Sequence, residues 1–247
     1  MRVMSANAKK VSAWILSLSL VSGLFVMAST TTATAQDKAA AAAAASLYIQ
    51  PSDDVWVYAH AGDPSTDEYL RTWGAGGEAT GDDAEAGGFS YSYVKWDLTG
   101  IPKDAKIIQA KVQLTHIPDP EFTLTDAKSH PIQVRGLVGN FTEKSWRFDN
   151  STSVKPESGD KAKFGEGSPA EMPMGKEFPI HVDLLKGPGD FQAYFAKALK
   201  STKPELALAI TSTIDPAELG QAGVYKVYSR NARNTKFRPV LMLWFEK

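Results

Sequence analysis

One predicted strand carries charged and aromatic side chains at a spacing that could hold a sugar polymer. In residues 90–98, Tyr91, Tyr93, Lys95 and Asp97 alternate with apolar residues, so they share one face while the other face belongs to the core. An acidic polysaccharide is bound by cationic side chains that pair with its carboxylates and by aromatic rings that stack on its sugars. This face suits such a polymer; the alternative is that Lys95 and Asp97 form an ordinary solvated pair.

Few other residue patterns point to a reaction or to a metal. The chain has no cysteine, which excludes disulfides, thiolate nucleophiles and cysteine metal ligands. Its four histidines are scattered, with no two at metal-ligand spacing. Three acidic residues of a glycine-rich loop, Asp82, Asp83 and Glu85, could supply oxygens to a structural calcium ion or could form a solvated loop. No other cofactor is expected.

The charge and the first residues of the chain predict its location. The net charge of −1 gives no general attraction to nucleic acid or to an anionic membrane, so no nucleic-acid partner is expected. Three basic residues precede an apolar stretch over residues 11–27, and Ala-Thr-Ala follows at 33–35, as in a signal peptide over residues 1–35. The alternative is an uncleaved anchor. Cleavage predicts a secreted protein, extracellular or periplasmic, with no membrane insertion afterwards.

The mature chain is predicted to be a short linker followed by one domain. Residues 36–46 include seven consecutive alanines, and a run this short forms only a marginal helix in water, so we expect an alanine-rich linker. Residues 47–247 are within the size of a single all-β domain and can bury a sizeable core.

Short runs with a period of two make strands the dominant predicted element. The eight predicted strands cover residues 54–59, 90–98, 107–117, 132–138, 180–185, 206–213, 224–229 and 240–245. In the third of them, alternation assigns Ile108, Ala110, Val112 and Leu114 to the core and the intervening residues, Gln109 to Thr115, to solvent. Long polar loops are predicted over residues 61–89 and 147–176.

A single segment has the period of a helix instead. Phe191, Tyr194, Phe195, Ala198 and Leu199 lie at the spacing of one helical face. One helix among many strands argues against a parallel α/β sheet. The predicted fold class is therefore all-β, a jelly-roll β-sandwich with one short amphipathic helix.

The order of several short motifs resembles a known family. Residues 93–102, YVKWDLTGIP, followed by IQAKVQL, are similar to the YLKFDLSGIP core of the DNRLRE-type modules, a family that includes the alginate-binding carbohydrate-binding module family 96. Further matching segments follow in the family's order: DVWV at 54–57, FTEKSW at 141–146, VDL at 182–184, YSRN at 228–231 and PVLML at 239–243. The resemblance spans nearly the whole mature chain.

The resemblance implies a secreted, non-catalytic module that binds a polysaccharide. It places Lys95 and Arg230 on strands that line the family's groove, and these are the first candidates for a carbohydrate-binding site. The second candidates lie at strand ends or in long loops: Arg71, Arg135, Arg233 and Trp146. The ligand is expected to be a polysaccharide, acidic like alginate or neutral.

Two other functions stay open from the sequence. The segment 222–229, which contains Tyr225 and Tyr228, resembles a strand of jelly-roll alginate lyases, but the other motifs of those enzymes are missing. The second alternative is a structural or interaction protein of the cell surface or extracellular matrix, in which the sandwich only presents its loops.

Overall fold

The fold is known from a computed structural model that describes residues 44–58, 66–79, 88–216 and 223–246. The predicted signal peptide, most of the predicted linker, and Asp82, Asp83 and Glu85 lie outside the described residues. Within these ranges the strands are β1 (Ala44–Ile49), β2 (Asp53–Val57), β3 (Tyr69–Thr72), β4 (Tyr91–Asp97), β5 (Lys106–His116), β6 (Ile132–Val138), β7 (Lys155–Pro156), β8 (Lys163–Gly167), β9 (Phe178–Asp183), β10 (Glu205–Thr211), β11 (Tyr225–Tyr228) and β12 (Val240–Glu246).

The described strands form two antiparallel sheets that face each other. The first sheet has the order β1-β12-β5-β11-β3, with β9 also paired to β5. The second has the order β2-β4-β10-β6-β7, with β8 also paired to β6. Trp96, Val112, Leu208 and Leu243 from strands of both sheets are fully buried in one shared core. The predicted all-β sandwich is confirmed.

The predicted helix is confirmed as α2, Phe191–Leu199, and a shorter helix, α1, covers Leu124–Ser129. The side chain of Asp190 begins α2 by accepting a hydrogen bond of 2.9 Å from the backbone N–H of Ala193. Phe191, Phe195 and Leu199 are the buried stripe that the spacing predicts. Neither described helix is long and apolar enough to cross a membrane.

Four strands lie where the sequence predicts a linker or loops. β1 begins at Ala44, inside the predicted linker, and pairs with β12. β3, β7 and β8 lie inside the two predicted long loops; β3 pairs with β11, and β7 and β8 both pair with β6. These short strands have weak alternation of their own, and pairing with a longer neighbour determines them.

A β-bulge changes the phase of β5. Trp244 pairs with Gln109 and Phe245 pairs with Ile107, so Ile108 has no partner in the ladder. The prediction that Ile108 faces the core is therefore wrong: its side chain is 46% exposed, while Ile107 is buried. Strict alternation holds from Ala110 to Leu114, and the extra residue reverses it before that point. The prediction that Thr115 faces solvent is also wrong, because its side chain is buried.

The two sheets approach each other closely where β8 meets β9. An ideal Cβ on Gly165 would lie 2.1 Å from the carbonyl oxygen of Asp183, and one on Gly167 would lie 2.3 Å from that of His181. Only residues without a side chain allow the two backbones to come this near.

Replacing Gly165 with alanine is expected to lower the free energy of unfolding by about 1–3 kcal/mol, because the new methyl group would force β8 away from β9. The measurement is urea denaturation followed by circular dichroism. Glu166→Ala is the control, since the ion pair that Glu166 forms with Lys163 is solvent-exposed and contributes little. Equal stability of Gly165→Ala and the wild type would contradict this close approach.

Candidate functional site

The face of β4 that carries Tyr91, Tyr93 and Lys95 is covered by the protein itself. The sequence predicts that only the opposite face of β4 is buried, and this prediction is wrong, because all three side chains are almost fully buried. The covering segment, residues 139–156, packs Phe141 and Trp146 against the Tyr93 ring, with ring centroids 5.9 and 5.8 Å away. We call residues 139–156 the covering segment below.

Hydrogen bonds hold the covering segment on β4. The hydroxyl of Tyr93 donates to the carbonyl of Val154 over 3.1 Å, and the ammonium of Lys95 donates to the carbonyl of Phe141. Burial raises the pKa of Tyr93 well above its usual range, so this hydroxyl stays a donor at every physiological pH. Predicted site residues Tyr93, Lys95 and Trp146 are thus brought together, but as an interior cluster.

Lys95 is a buried cation, 1% exposed, whose charge is balanced by two carboxylates. Its Nζ lies 3.5 Å from Asp53 Oδ2 and 4.0 Å from Glu205 Oε1. The Phe141 ring centroid is 5.1 Å away, close enough for a cation–π contact. Both carboxylates lie beyond hydrogen-bond distance, so the carbonyl of Phe141 is the only hydrogen-bond acceptor that the described residues give Lys95.

Lys95 also lines a cavity of about 330 Å³ between α2, β10 and the start of the covering segment. We call it the lysine cavity. Its other charged lining residues are Glu157, Lys197, Lys203 and Glu205. Lys203 pairs with Glu205 over 2.7 Å, and this hydrogen bond raises the pKa of the fully exposed Lys203. The lining therefore brings together cations, acids and, on one wall, apolar side chains.

Tyr194 fixes the apolar wall of the lysine cavity. From α2 its hydroxyl donates to the carbonyl of Ala207 over 2.8 Å and accepts from the backbone N–H of Leu137 over 3.0 Å. The hydroxyl thereby ties the helix to two strands of the second sheet. Burial raises the pKa of Tyr194 to about 12, so it stays neutral.

Arg230 is engaged in an ion pair with a buried acid. Its guanidinium binds the buried carboxylate of Glu143, which also accepts a 2.6 Å hydrogen bond from the side-chain amide of Asn231. The backbone N–H of Glu143 donates to Asp53 over 3.0 Å. Since Asp53 also faces Lys95, the two first-choice candidates belong to one network that anchors the covering segment.

Asp54 is the least satisfied member of this network. The backbone N–H of Arg230 donates to its Oδ2 over 2.6 Å, whereas its buried Oδ1 has no hydrogen-bond partner among the described residues. Burial raises the pKa of Asp54 to about 8, and the nearby carboxylates of Glu143 and Asp53 act in the same direction. The side chain is therefore mostly protonated at neutral pH.

The remaining predicted arginines do not converge on one site. Arg135 is buried and donates to the carbonyl of Gly159 over 2.9 Å. Arg71 lies over the ring of Trp56, 5.1 Å from its centroid. Arg233 is exposed and pairs with Glu68 over 3.0 Å. Each is thus engaged by a different partner.

The side chains considered for a lyase reaction have structural contacts. Tyr225 is buried, and its hydroxyl donates to the carbonyl of His130 over 2.8 Å. Tyr228 donates to Glu177 over 3.2 Å. His116, one of the four scattered histidines and not part of the lyase prediction, is stacked between Phe122 and Phe178, and burial lowers its pKa to about 4. None of these three side chains lines the lysine cavity.

No group of three or more histidine, aspartate or glutamate side chains in the described ranges is arranged to hold a metal ion. The predicted calcium ligands Asp82, Asp83 and Glu85 lie outside those ranges, so that prediction stands untested.

The lysine cavity includes residues that the sequence did not single out. Glu157 lies in a predicted loop, and Lys197 and Lys203 look like ordinary solvated lysines near a helix end. The amphipathic pattern of α2 places Tyr194 on the buried side, which was the one available signal. The docking of α2 on β10 brings the set together, and a single sequence does not reveal it.

Comparison of the chain with protein-family models and with curated proteins found no match.

Proposed function

We propose that the protein binds an acidic polysaccharide without catalysis, holding one carboxylate-bearing sugar in the lysine cavity. The observation that carries the proposal is a buried cation, Lys95, that lines an open cavity and has unused hydrogen-bond donors. The predicted signal peptide and the resemblance to carbohydrate-binding DNRLRE-type modules support the proposal, because both point to a secreted module that meets extracellular glycans.

The donor capacity of Lys95 matches a carboxylate. An ammonium group has three N–H donors, and the described residues accept only one hydrogen bond from Lys95. A ligand carboxylate oxygen entering the cavity would accept a second, charge-assisted bond in a site of low dielectric. Lys197, an exposed residue that lines the same cavity, offers a second cation for this negative charge.

The rest of the lining matches the other surfaces of a sugar. Glu157, Asn140 and Ser201 offer acceptors and donors for hydroxyl groups. Leu137, Ala198 and Ala207 offer apolar contact for the carbon–hydrogen face of the ring. The volume of about 330 Å³ is at the small end of ligand pockets, which suits one sugar unit of a chain that continues into solvent.

Affinity electrophoresis in gels that contain alginate, pectin or a neutral glucan tests the proposal. Alginate or pectin is expected to retard the protein, and Lys197→Gln to weaken the affinity about three- to tenfold, since one exposed charge contact is lost. Added salt should weaken the binding, because the contact is electrostatic. Lys200→Gln is the matched control, since Lys200 is exposed on the same helix end but does not line the cavity.

Equal weakening by Lys197→Gln and Lys200→Gln would show that net charge, and not the lysine cavity, causes retardation. No retardation by either acidic polymer would overturn the proposal.

The second candidate is a structural or interaction protein, and the edge strand β1 favours it. Among the described strands β1 pairs with β12 alone; it contains no charged residue and exposes Leu47 and Tyr48. Such an edge can pair with another chain. Concentration-dependent association without retardation by any polymer would favour this function over glycan binding.

A further inference from the structure

A second surface with the composition of a sugar-binding site lies on the outer face of the first sheet. A cleft of about 490 Å³ is lined there by Ile108, Gln109, Asp183, Leu185, Lys186 and Trp244. We call these six residues the tryptophan platform. It lies on strands β5, β9 and β12, none of which lines the lysine cavity.

The bulge in β5 builds the platform. Gln109 is opposite Trp244 in the ladder, and the unpaired Ile108 turns outward beside it instead of entering the core. On the other side of β5, Lys111 is opposite Asp183, which brings Asp183 onto the same outer face. An indole ring, an amide and a carboxylate therefore occupy neighbouring positions on three adjacent strands.

The platform carries one acid, Asp183, and one base, Lys186, so its own charges cancel, which favours a neutral ligand. Lys106 forms an ion pair with Glu246 over 3.4 Å, and Lys111 lies opposite Asp183. None of the six platform residues is an arginine. A polymer with one carboxylate per sugar would meet Asp183 as well as Lys186 here, whereas a neutral polymer brings no unpaired charge.

The polar groups of the platform have unused hydrogen-bonding capacity. The side chain of Gln109 and the indole N–H of Trp244 have no hydrogen-bond partner within the described ranges, and one oxygen of Asp183 accepts from the backbone N–H of Leu185 over 3.0 Å. Amides and carboxylates of this kind accept and donate to the hydroxyls of a sugar, while the indole ring packs on its carbon–hydrogen face.

The orientation of the Tyr48 and Trp244 rings favours a single polysaccharide chain as ligand over the surface of a crystalline polysaccharide. Tyr48, 63% exposed, lies next to Trp244 with ring centroids 6.0 Å apart, but the two rings are inclined by 74°. A flat crystalline polysaccharide needs coplanar rings, and these two rings cannot both lie flat on one plane. One ring can stack on a sugar of a separate chain while the other contacts the chain from its edge.

We propose that the tryptophan platform binds a single chain of a soluble neutral polysaccharide, with one sugar stacked on Trp244 and its hydroxyls bound by Gln109 and Asp183. This site is independent of the lysine cavity, which lies on other strands and faces an acidic ligand. A protein with both sites would hold two chemically different polymers, or two segments of a mixed one.

Affinity electrophoresis of the full protein in soluble β-glucan, mannan and xylan tests the platform. We expect retardation by at least one of these neutral polymers, and a loss of roughly tenfold or more in affinity for Trp244→Ala and Gln109→Ala. Tyr69→Ala is the matched control, because Tyr69 is a partly exposed aromatic residue of the same sheet outside the platform. Lys197→Gln should leave this binding unchanged.

The outcomes separate the two sites. Neutral-polymer binding that is lost in Trp244→Ala but kept in Lys197→Gln supports the platform, whether or not alginate is bound. No retardation by any neutral polymer, or retardation that Trp244→Ala leaves intact, overturns it. Self-association that Trp244→Ala abolishes would assign the face to a second copy of the chain and would also overturn it. Circular dichroism of each variant establishes that it is folded.

Discussion

Stability is expected to fall by about 2 kcal/mol as the pH is raised from 6.5 to 8, and Asp54→Asn is expected to abolish that fall. Folding raises the pKa of Asp54 from 3.8 to about 8, so the folded state holds one more proton than the unfolded state between these values. Raising the pH through this window therefore favours the unfolded state. The measurement is the free energy of unfolding in urea at several pH values.

The fall in stability is expected only above pH 6.5, because His116 has the opposite effect on stability below that pH. Burial lowers its pKa from 6.5 to about 4, so between these values the unfolded state holds the extra proton and stability rises with pH. The slopes of Asp54 and His116 have opposite signs between about pH 4 and 6.5, and His181, whose pKa burial also lowers, adds to the rise in stability below pH 6.5. Above 6.5 only the slope of Asp54 remains.

The Asp54→Asn variant separates the contribution of Asp54 to the pH dependence of stability from that of His116. Asparagine keeps an oxygen that can accept from the Arg230 N–H but cannot ionise, so its stability should rise up to pH 6.5 and then stay level. A wild-type curve that is level from pH 6.5 to 8 would contradict a raised pKa for Asp54. So would a variant with the same fall as the wild type.

Replacing Trp146 with alanine is expected to lower the free energy of unfolding by about 3–5 kcal/mol. The indole is 6% exposed and packs edge-on against Tyr93 and Phe141, with centroids 5.8 and 6.2 Å away. Its loss leaves a cavity between the covering segment and β4, so the interior face of β4 should become accessible to a hydrophobic dye such as ANS. Urea denaturation and dye fluorescence measure the two effects.

Trp244→Ala is the control for this variant, because it removes an indole from the outer surface instead of the interior. A much smaller loss of stability and no added dye binding are expected from it. If both tryptophan variants lost the same stability, the covering segment would not be part of the folded interior.

The elements that the sequence predicted well are those whose own side chains determine their structure. The spacing of Phe191, Phe195 and Leu199 defines the buried stripe of α2 without reference to any neighbour. The period of two in β6 and β12 likewise predicts their bounds to within one residue. In these segments the local pattern and the tertiary fold agree.

The face of β4 could not be predicted, because a distant segment buries it. Tyr93 and Lys95 alternate with apolar residues as surface residues do, and only the covering segment turns them into interior groups. The same segment occupies Arg230 through Glu143. The order of the motifs correctly pointed to Lys95 and Arg230 as related residues. It could not show that both bind other groups of the same chain.

The tryptophan platform was missed for a different physical reason. Strict alternation assigned Ile108 to the core, and one unpaired residue reverses that assignment while leaving the ladder on both sides intact. Trp244 follows the normal alternation of β12, so the sequence predicts nothing more for it than a position on the outer face of a strand. Its importance follows from what the register places beside it.

The bulge at Ile108 also bears on how this chain can diverge. Loss of one residue there would bring both halves of β5 into the same phase, leaving the core of Ala110, Val112 and Leu114 unchanged while removing an apolar wall of the platform. Deletion of a single codon could thus change the outer surface of the sheet without changing the core. The outer surface of this sandwich can therefore change by one insertion or deletion, without any substitution in the core.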